Sequence, residues 1–440
     1  MKGKYYIETM GCPKNFNDSE YAAGVLDGAG YEEAASITDA DFVIVNTCGF
    51  IEDAKVESIN KTFEAYSLLK PGAKLIMTGC LSQRYGEELK KEMPEVSCFV
   101  GVNDYNRLPE IFENMEEGVF LGACNIDYLE KTIRKYRKNP YTSTIKIAEG
   151  CDNKCAYCII PSIRGRYRSK KMEDILLEAE ELAAAGCKEL ILIAQDVTYY
   201  GKDLYQEYML PKLLRELVKV QGIQWIRLMY CYDVRITDEL IDVMAKEEKI
   251  CKYIDIPIQH SSDKVLREMK RGITRKGTLE VIRKLRDAIP DIAIRTSLIV
   301  GFPGETEEDF RDLLDFVEEV KFARLGVFKY SREEGTPAGA REDQIDDEIK
   351  EQRLDIIMRT QMDISLKNNE ALIGKTLDVI VDREEEDSYI GRTKQDAPEI
   401  DNEVIFQSHR NLKPGDIVKV RITDAFDYDL VGMDVERVNS

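Results

Sequence analysis

The chain has 440 residues, 43% hydrophobic and 33% charged, enough for about three domains with buried cores and unlike either a disordered tail or a membrane bundle. Asp and Glu number 82 against 62 Lys and Arg, a net charge of −20 that repels phosphate backbones unless basic groups cluster. Only two histidines, His260 and His409, stand beside eleven cysteines, which argues against a His-based zinc hydrolase or a Ser/His/Asp hydrolase and leaves sulfur to carry metal chemistry.

The amino end, MKGKYYIETMGC, lacks the apolar stretch of a signal peptide, and no later segment supplies a membrane-spanning run, so a cytoplasmic location is expected. In a reducing compartment the cysteines are not a disulfide framework, and regular spacing among them points to metal. From residue 4 to 100, apolar runs (YYIETMGC, FVIVNTCGF, KLIMTGC) alternate with helical stretches around Asp18 to Gly28 and Glu52 to Leu69, the pattern of a parallel βαβ unit. Cys12, Cys48 and Cys80 each sit just past the last apolar residue of a strand and so reach one edge, where open α/β sheets bind ligands. With helices around Tyr105 to Met115 these elements make a first domain of residues 1–135.

After a charged connector, six strand-like runs (STIKIAEG, ELILIAQD, WIRLMY, YIDIPIQ, IAIRTSLIVG, ARLGVFKYS) alternate with amphipathic helices over residues 140–335. Six βα units fall short of the eight of a closed barrel, so a partial (β/α)6 barrel is expected, with its site at the strand carboxyl ends. Residues 336–372 read as a helical connector and 373–440, with short β runs between turns, as a small all-β barrel.

The sharpest motif is Cys151-Asp152-Asn153-Lys154-Cys155-Ala156-Tyr157-Cys158, directly after the first barrel strand. Such a loop wraps three thiolates around three irons of a cubane and leaves the fourth iron open. The spacing, with an aromatic residue before the third cysteine, resembles the radical S-adenosylmethionine superfamily. The whole layout, with a terminal barrel like the TRAM domain, is similar to the methylthiotransferases. The resemblance implies two [4Fe-4S] clusters, one on Cys151, Cys155 and Cys158 and one on Cys12, Cys48 and Cys80, with S-adenosylmethionine as cofactor and an electron donor and a sulfur source as partners. It also implies cofactor contacts from Tyr157 beside the cluster and from Gln195 and Asp196 at the end of the second barrel strand, with Arg295 near a strand end, although the common Gly-Gly-Glu form is absent. Cys98, Cys124, Cys187, Cys231 and Cys251 are assigned to packing.

Around the first cysteine, Gly11-Cys12-Pro13-Lys14-Asn15 followed by Asp18-Ser19-Glu20 resembles the ribosomal-protein aspartyl subtype, whereas the tRNA-modifying relatives usually carry Gln-Met in place of Pro-Lys. Gly391-Arg392-Thr393 with Asp396 to Asp401 also looks like that subtype. Asp18, Ser19 and Glu20 either cap the first helix and complement its dipole or contact substrate. Residues 373 to 440 hold nine Lys and Arg against sixteen Asp and Glu, a net −7 that suits a basic protein partner better than tRNA. The resemblance implies addition of a methylthio group to the β-carbon of an aspartate in small-subunit ribosomal protein twelve. The alternatives are a tRNA adenosine methylthiotransferase and a non-enzymatic iron-sulfur ribosome-binding factor.

Overall fold

A computed structural model describes residues 2–122, 134–135 and 141–435. The first layer is a six-stranded parallel sheet. Its centre is Lys4–Thr9, Phe42–Thr47 and Lys74–Gly79, flanked by Glu32–Glu33 on one side and by Cys98–Val100 and Gly118–Phe120 on the other. All six residues of Phe42–Thr47 are buried, as a parallel strand covered on both faces requires. Helices Pro13–Gly28, Glu52–Ser67 and Cys80–Glu92 make the crossovers. The first helix begins earlier than the sequence pattern suggests, because Pro13 fits its opening turn and polar residues such as Asn15 and Asp18 are buried rather than exposed.

The second layer is the expected partial barrel. Thr142–Lys146, Glu189–Ile193, Trp225–Leu228, Ile250–Asp255, Ala293–Val300 and Arg324–Lys329 pair in chain order, all parallel, and the first and last strands stay apart. Strand alternation separates two cores. Leu190, Leu192, Ile226 and Leu228 pack against the surrounding helices, while Ile191, Ile193, Trp225 and Tyr253 point to the concave side. Helix Asp347–Glu370 leads out of this layer and buries Ile357 and Ile364 in its core.

The third layer is a closed barrel of Thr376–Glu385, Ser388–Thr393, Val404–Gln407, Leu430–Asp434 and Ile417–Ala425 around Val379, Val381, Phe406 and Val420. It covers the concave side of the partial barrel. Ile380 and Ala397 join Ile191, Ile193, Trp225 and Tyr253 in one apolar cluster. Around that cluster Arg227 pairs with Glu189 at 2.8 Å, Arg392 with Glu189 at 2.9 Å and Arg324 with Asp396. The segment that looked like a subtype signature, Gly391 to Asp401, is therefore an inward-facing docking loop. Among the described residues no helix is long and apolar enough to cross a membrane.

Candidate functional site

The first cysteine triad forms where the first barrel strand ends. Gly150 turns the chain with φ +79, and a Cβ there would stand 2.1 Å from the Arg166 carbonyl oxygen. Cys151 N donates to Gly165 O at 3.1 Å, while Ala156 donates to Met269 O and accepts from Ala338 N, each at 2.9 Å. Between them, Asn153 donates to Asp196 at 3.1 Å and accepts from Arg235 at 2.8 Å. These bonds fix an irregular loop that carries Cys151, Cys155 and Cys158 as free, half-buried thiols. Burial pushes the thiol of Cys151 up to about 11 and that of Cys158 up to about 12, and neighbouring thiols add to both shifts. A metal that replaces the proton reverses that cost.

The second triad comes from three loops of the parallel sheet. Register pairs Thr47 with Gly79 and Asn46 with Thr9, so Cys48 and Cys80 leave the sheet at one level and Cys12 follows just beyond. Cys12 precedes helix Pro13–Gly28 and Cys80 opens helix Cys80–Glu92. The loops touch: a Cβ on Gly11, at φ +85, would lie 2.8 Å from Cys48 Cβ and 3.1 Å from its Sγ. Burial, reinforced by Cys80 and Cys12, pushes the Cys48 thiol up to about 12. Cys80 Sγ accepts from Arg164 Nη2 at 3.2 Å. Among the described residues no three His, Cys, Asp or Glu side chains converge on a single ion position. Thiolates that each hold a different iron of a cubane need no such point, and a donor set of three thiols without imidazole fits iron-sulfur ligation.

One short segment joins the triads. Helix Ile160–Arg164 starts two residues after Cys158, and Arg164, fully buried, reaches Asp18 at 2.7 Å, Glu149 at 3.0 Å and Asn15 at 2.8 Å in addition to Cys80. Lys146 completes the group by pairing with Asp18 and, at 2.7 Å, with Glu149. Two cations and two anions thus neutralise one another at the seam between the sheet and the partial barrel. On the other side of the seam Glu333 pairs with Arg84 at 2.6 Å and with Lys55 at 3.2 Å. Ser19 is also buried and accepts from Thr9 and Asn46, and Glu20 pairs with Arg134. Asp18, Ser19 and Glu20 are therefore neither an exposed cap nor a dipole complement.

The four residues expected to contact cofactor have distinct surroundings. Tyr157 is half-buried against Phe302 and Tyr330, with its hydroxyl beside Cys155. Gln195 Nε2 donates to Glu149 at 2.8 Å, and its buried Oε1 has no partner. Asp196 is fully committed, to Thr198 N at 3.1 Å, Asn153 and Arg235. Arg295 bridges Asp255 at 2.8 Å and Asp401 of the docking loop at 3.3 Å. His260 is buried with Nδ1 accepting from Ser262 N, and the Gly301–Thr306 turn is locked by Glu305, which accepts from Gly301 N and Arg353. Cys98, Cys187, Cys231 and Cys251 lie in apolar cores, and Cys124 lies outside the described residues.

Sequence reasoning gave Lys14 no place in the site, yet the structure sets it between the two triads. Its Nζ sits 3.3 Å from the centroid of the Tyr230 ring, at the carboxyl end of the third barrel strand, with Cys12, Glu149 and Asp255 nearby. Tyr230 itself has φ +62, a strained conformation held by a bond from its N to Asp255 at 2.9 Å. The Pro-Lys pair was legible only as a subtype mark.

A partial barrel with a CxxxCxxC loop at its first strand defines a radical S-adenosylmethionine enzyme, and residues 145–317 match the radical SAM superfamily. Residues 4–101 match the uncharacterized protein family UPF0004, and residues 373–435 the TRAM domain. The chain is 48% identical over 435 residues to the ribosomal protein uS12 methylthiotransferase RimO of Clostridioides difficile (strain 630), covering 98% of each chain. It is 48% identical over 440 residues to the protein of the same name from Geobacter sulfurreducens, again covering 98% of each. The chain belongs to the RimO family of radical S-adenosylmethionine methylthiotransferases. Its fold is also similar to the radical S-adenosylmethionine methyltransferase TsrM from Kitasatospora setae, with a TM-score of 0.58, 16% identity and 77% of each chain covered. For the cobalamin-dependent radical enzyme OxsB the TM-score is 0.52 and the identity 12%, over 82% of this chain and 56% of that one.

Proposed function

We propose that this chain adds a methylthio group to the β-carbon of an aspartate in ribosomal protein uS12, using S-adenosylmethionine and two [4Fe-4S] clusters. The observation that carries the reading is the approach of two cysteine triads from two layers to one seam, joined through Arg164, Asp18, Glu149 and Lys146. Cys151, Cys155 and Cys158 would hold the cluster that supplies the electron for reductive cleavage of S-adenosylmethionine, and Cys12, Cys48 and Cys80 would hold the one that serves sulfur transfer. The chain's own residues then have three tasks.

Asp196 and Arg235 hold Asn153, and through it the shape of the cysteine loop. Gln195 Oε1 offers an unpaired buried acceptor that suits the ammonium of the cofactor's methionine moiety, with Tyr157 packing alongside. Asp196 has both carboxylate oxygens engaged and acts on the cofactor through the groups it holds, while Arg295 is held in place by Asp255 and Asp401. The charged quartet at the seam keeps the spacing between triads fixed, which a substrate carbon that must reach both sites requires. A basic ribosomal protein as substrate accords with the acidic chain and a cytoplasmic location. An electron donor and a sulfur source complete the set of partners.

Anaerobic reconstitution tests the two sites. The wild type should take up about eight irons. Replacing Cys151, Cys155 and Cys158 by Ala should leave one cluster and abolish cofactor cleavage. Replacing Cys12, Cys48 and Cys80 should also leave one cluster, with cleavage retained and methylthio transfer lost. Iron content unchanged by the second triple substitution would refute the two-cluster reading.

A further inference from the structure

The Lys14 side chain is nine-tenths buried, and among the described residues its ammonium, which still reaches accessible space, makes no hydrogen bond or ion pair. Its one close contact is the face of Tyr230 at 3.3 Å. The carboxylates near it are already taken, and the remaining neighbour of negative character is the Cys12 thiol two residues away. Glu149 accepts from Lys146, Arg164 and Gln195, and Asp255 accepts from Arg295 at 2.8 Å and from Tyr230 N at 2.9 Å. An ammonium held in this largely desolvated place without a carboxylate partner gains from an anion that reaches its accessible side.

The position of Lys14 indicates which anion. It follows Cys12 by two residues on the opening turn of helix Pro13–Gly28, and it reaches across the seam to the mouth of the partial barrel. A substrate carbon that must meet both the radical and the transferred sulfur has to lie in this gap. The β-carbon of an aspartate is bonded directly to the side-chain carboxyl group, so a cation that binds the carboxylate also fixes the reacting carbon. Tyr230 supports the ammonium from one side and leaves its hydrogens for a ligand on the other.

We infer that Lys14 binds the side-chain carboxylate of the target aspartate and so sets both the choice of residue and the position of its β-carbon. This rests on the function proposed above. It makes Lys14 a substrate-binding residue that discriminates aspartate from asparagine, since the amide has no charge to offer a buried ammonium.

The test uses the reconstituted holoenzyme and two fluorescent peptides carrying the uS12 target loop, one with the native aspartate and one with asparagine in its place. The wild type is expected to bind the aspartate peptide at least about tenfold more tightly. Lys14→Met should bring the two affinities within about twofold of each other, and Lys14→Arg should restore most of the preference. Iron content and S-adenosylmethionine affinity, measured on the same preparations, separate the sources of carboxylate. A Lys14→Met protein that keeps the aspartate preference overturns the inference, and one that instead loses affinity for S-adenosylmethionine assigns the cation to the cofactor's carboxylate and overturns it too. If Lys14→Met does not fold, Lys14→Gln is read in the same way. A wild type that binds neither peptide and leaves uS12 unmodified would refute the proposed function itself, which is a separate outcome.

Discussion

Asp18 has no solvent exposure and divides its two oxygens between Lys146 and Arg164. Asp18→Ala takes from two buried cations an anion that both of them contact, and the expected loss is about 3 kcal/mol or more, read as a lower denaturant midpoint at unchanged slope. Iron uptake by the Cys12, Cys48 and Cys80 site should fall with it, because Arg164 is then free to leave Cys80. The grouping of the cysteines into two triads was legible because strand-end placement and the CxxxCxxC spacing are local patterns. Asp18 and Arg164 were not, since their pairing spans 146 residues of sequence and has no periodicity to mark it. A polar residue near a helix start reads as a cap until the layer that buries it is known. Lys14 was hidden for the same reason, as Tyr230 belongs to another layer.

The docking loop between strands Ser388–Thr393 and Val404–Gln407 shows the same limit in one element. From sequence, the net −7 of residues 373 to 440 spoke for an external basic partner. Several of those acids are instead spent inward. Asp382 pairs with Arg392 at 2.7 Å, Asp396 with Arg324, and Asp401 accepts from Tyr253 at 2.8 Å. The barrel's charge is therefore a weaker statement about partners than its composition suggested. Removing residues 373–440 would expose Ile191, Ile193 and Trp225 and unpair Arg324, so the truncated protein is expected to aggregate or bind a hydrophobic dye rather than persist as an intact radical domain. A truncated protein with the full-length melting temperature would contradict this. Glu189 supplies a pH test of the same interface. Arg392 and Arg227 outweigh its burial and hold its carboxyl below the usual value of 4.5. Its stabilisation is thus complete above that value and is lost as pH falls below it. The stability difference between wild type and Glu189→Gln should accordingly shrink in acid, and a difference that stays constant down to full protonation would count against the pairing.

The parallel sheet, the partial barrel and the closed barrel were all visible as patterns of apolar runs, since each strand carries its own signal. How the layers sit on one another was not, because the surfaces that join them are built from isolated charges and a few alternate strand positions such as Ile191 and Trp225. The net charge of −20 belongs to the molecule as a whole. It predicts that association with a basic ribosomal protein slows as salt rises through the range where the screening length falls below about 10 Å, and stopped-flow association rates would show this. A rate independent of salt would remove charge from the account of recognition. In the proposed reaction two triads held at one seam deliver a methylthio group to uS12. Mass spectrometry of uS12 and of tRNA, after incubation of each with reconstituted holoenzyme, S-adenosylmethionine, a reductant and sulfide, tests it most directly. The expected product is a uS12 peptide whose aspartate has exchanged one hydrogen for a methylthio group, with tRNA unchanged and no product from either triple-cysteine variant. Unmodified uS12 beside a methylthiolated tRNA adenosine would contradict it.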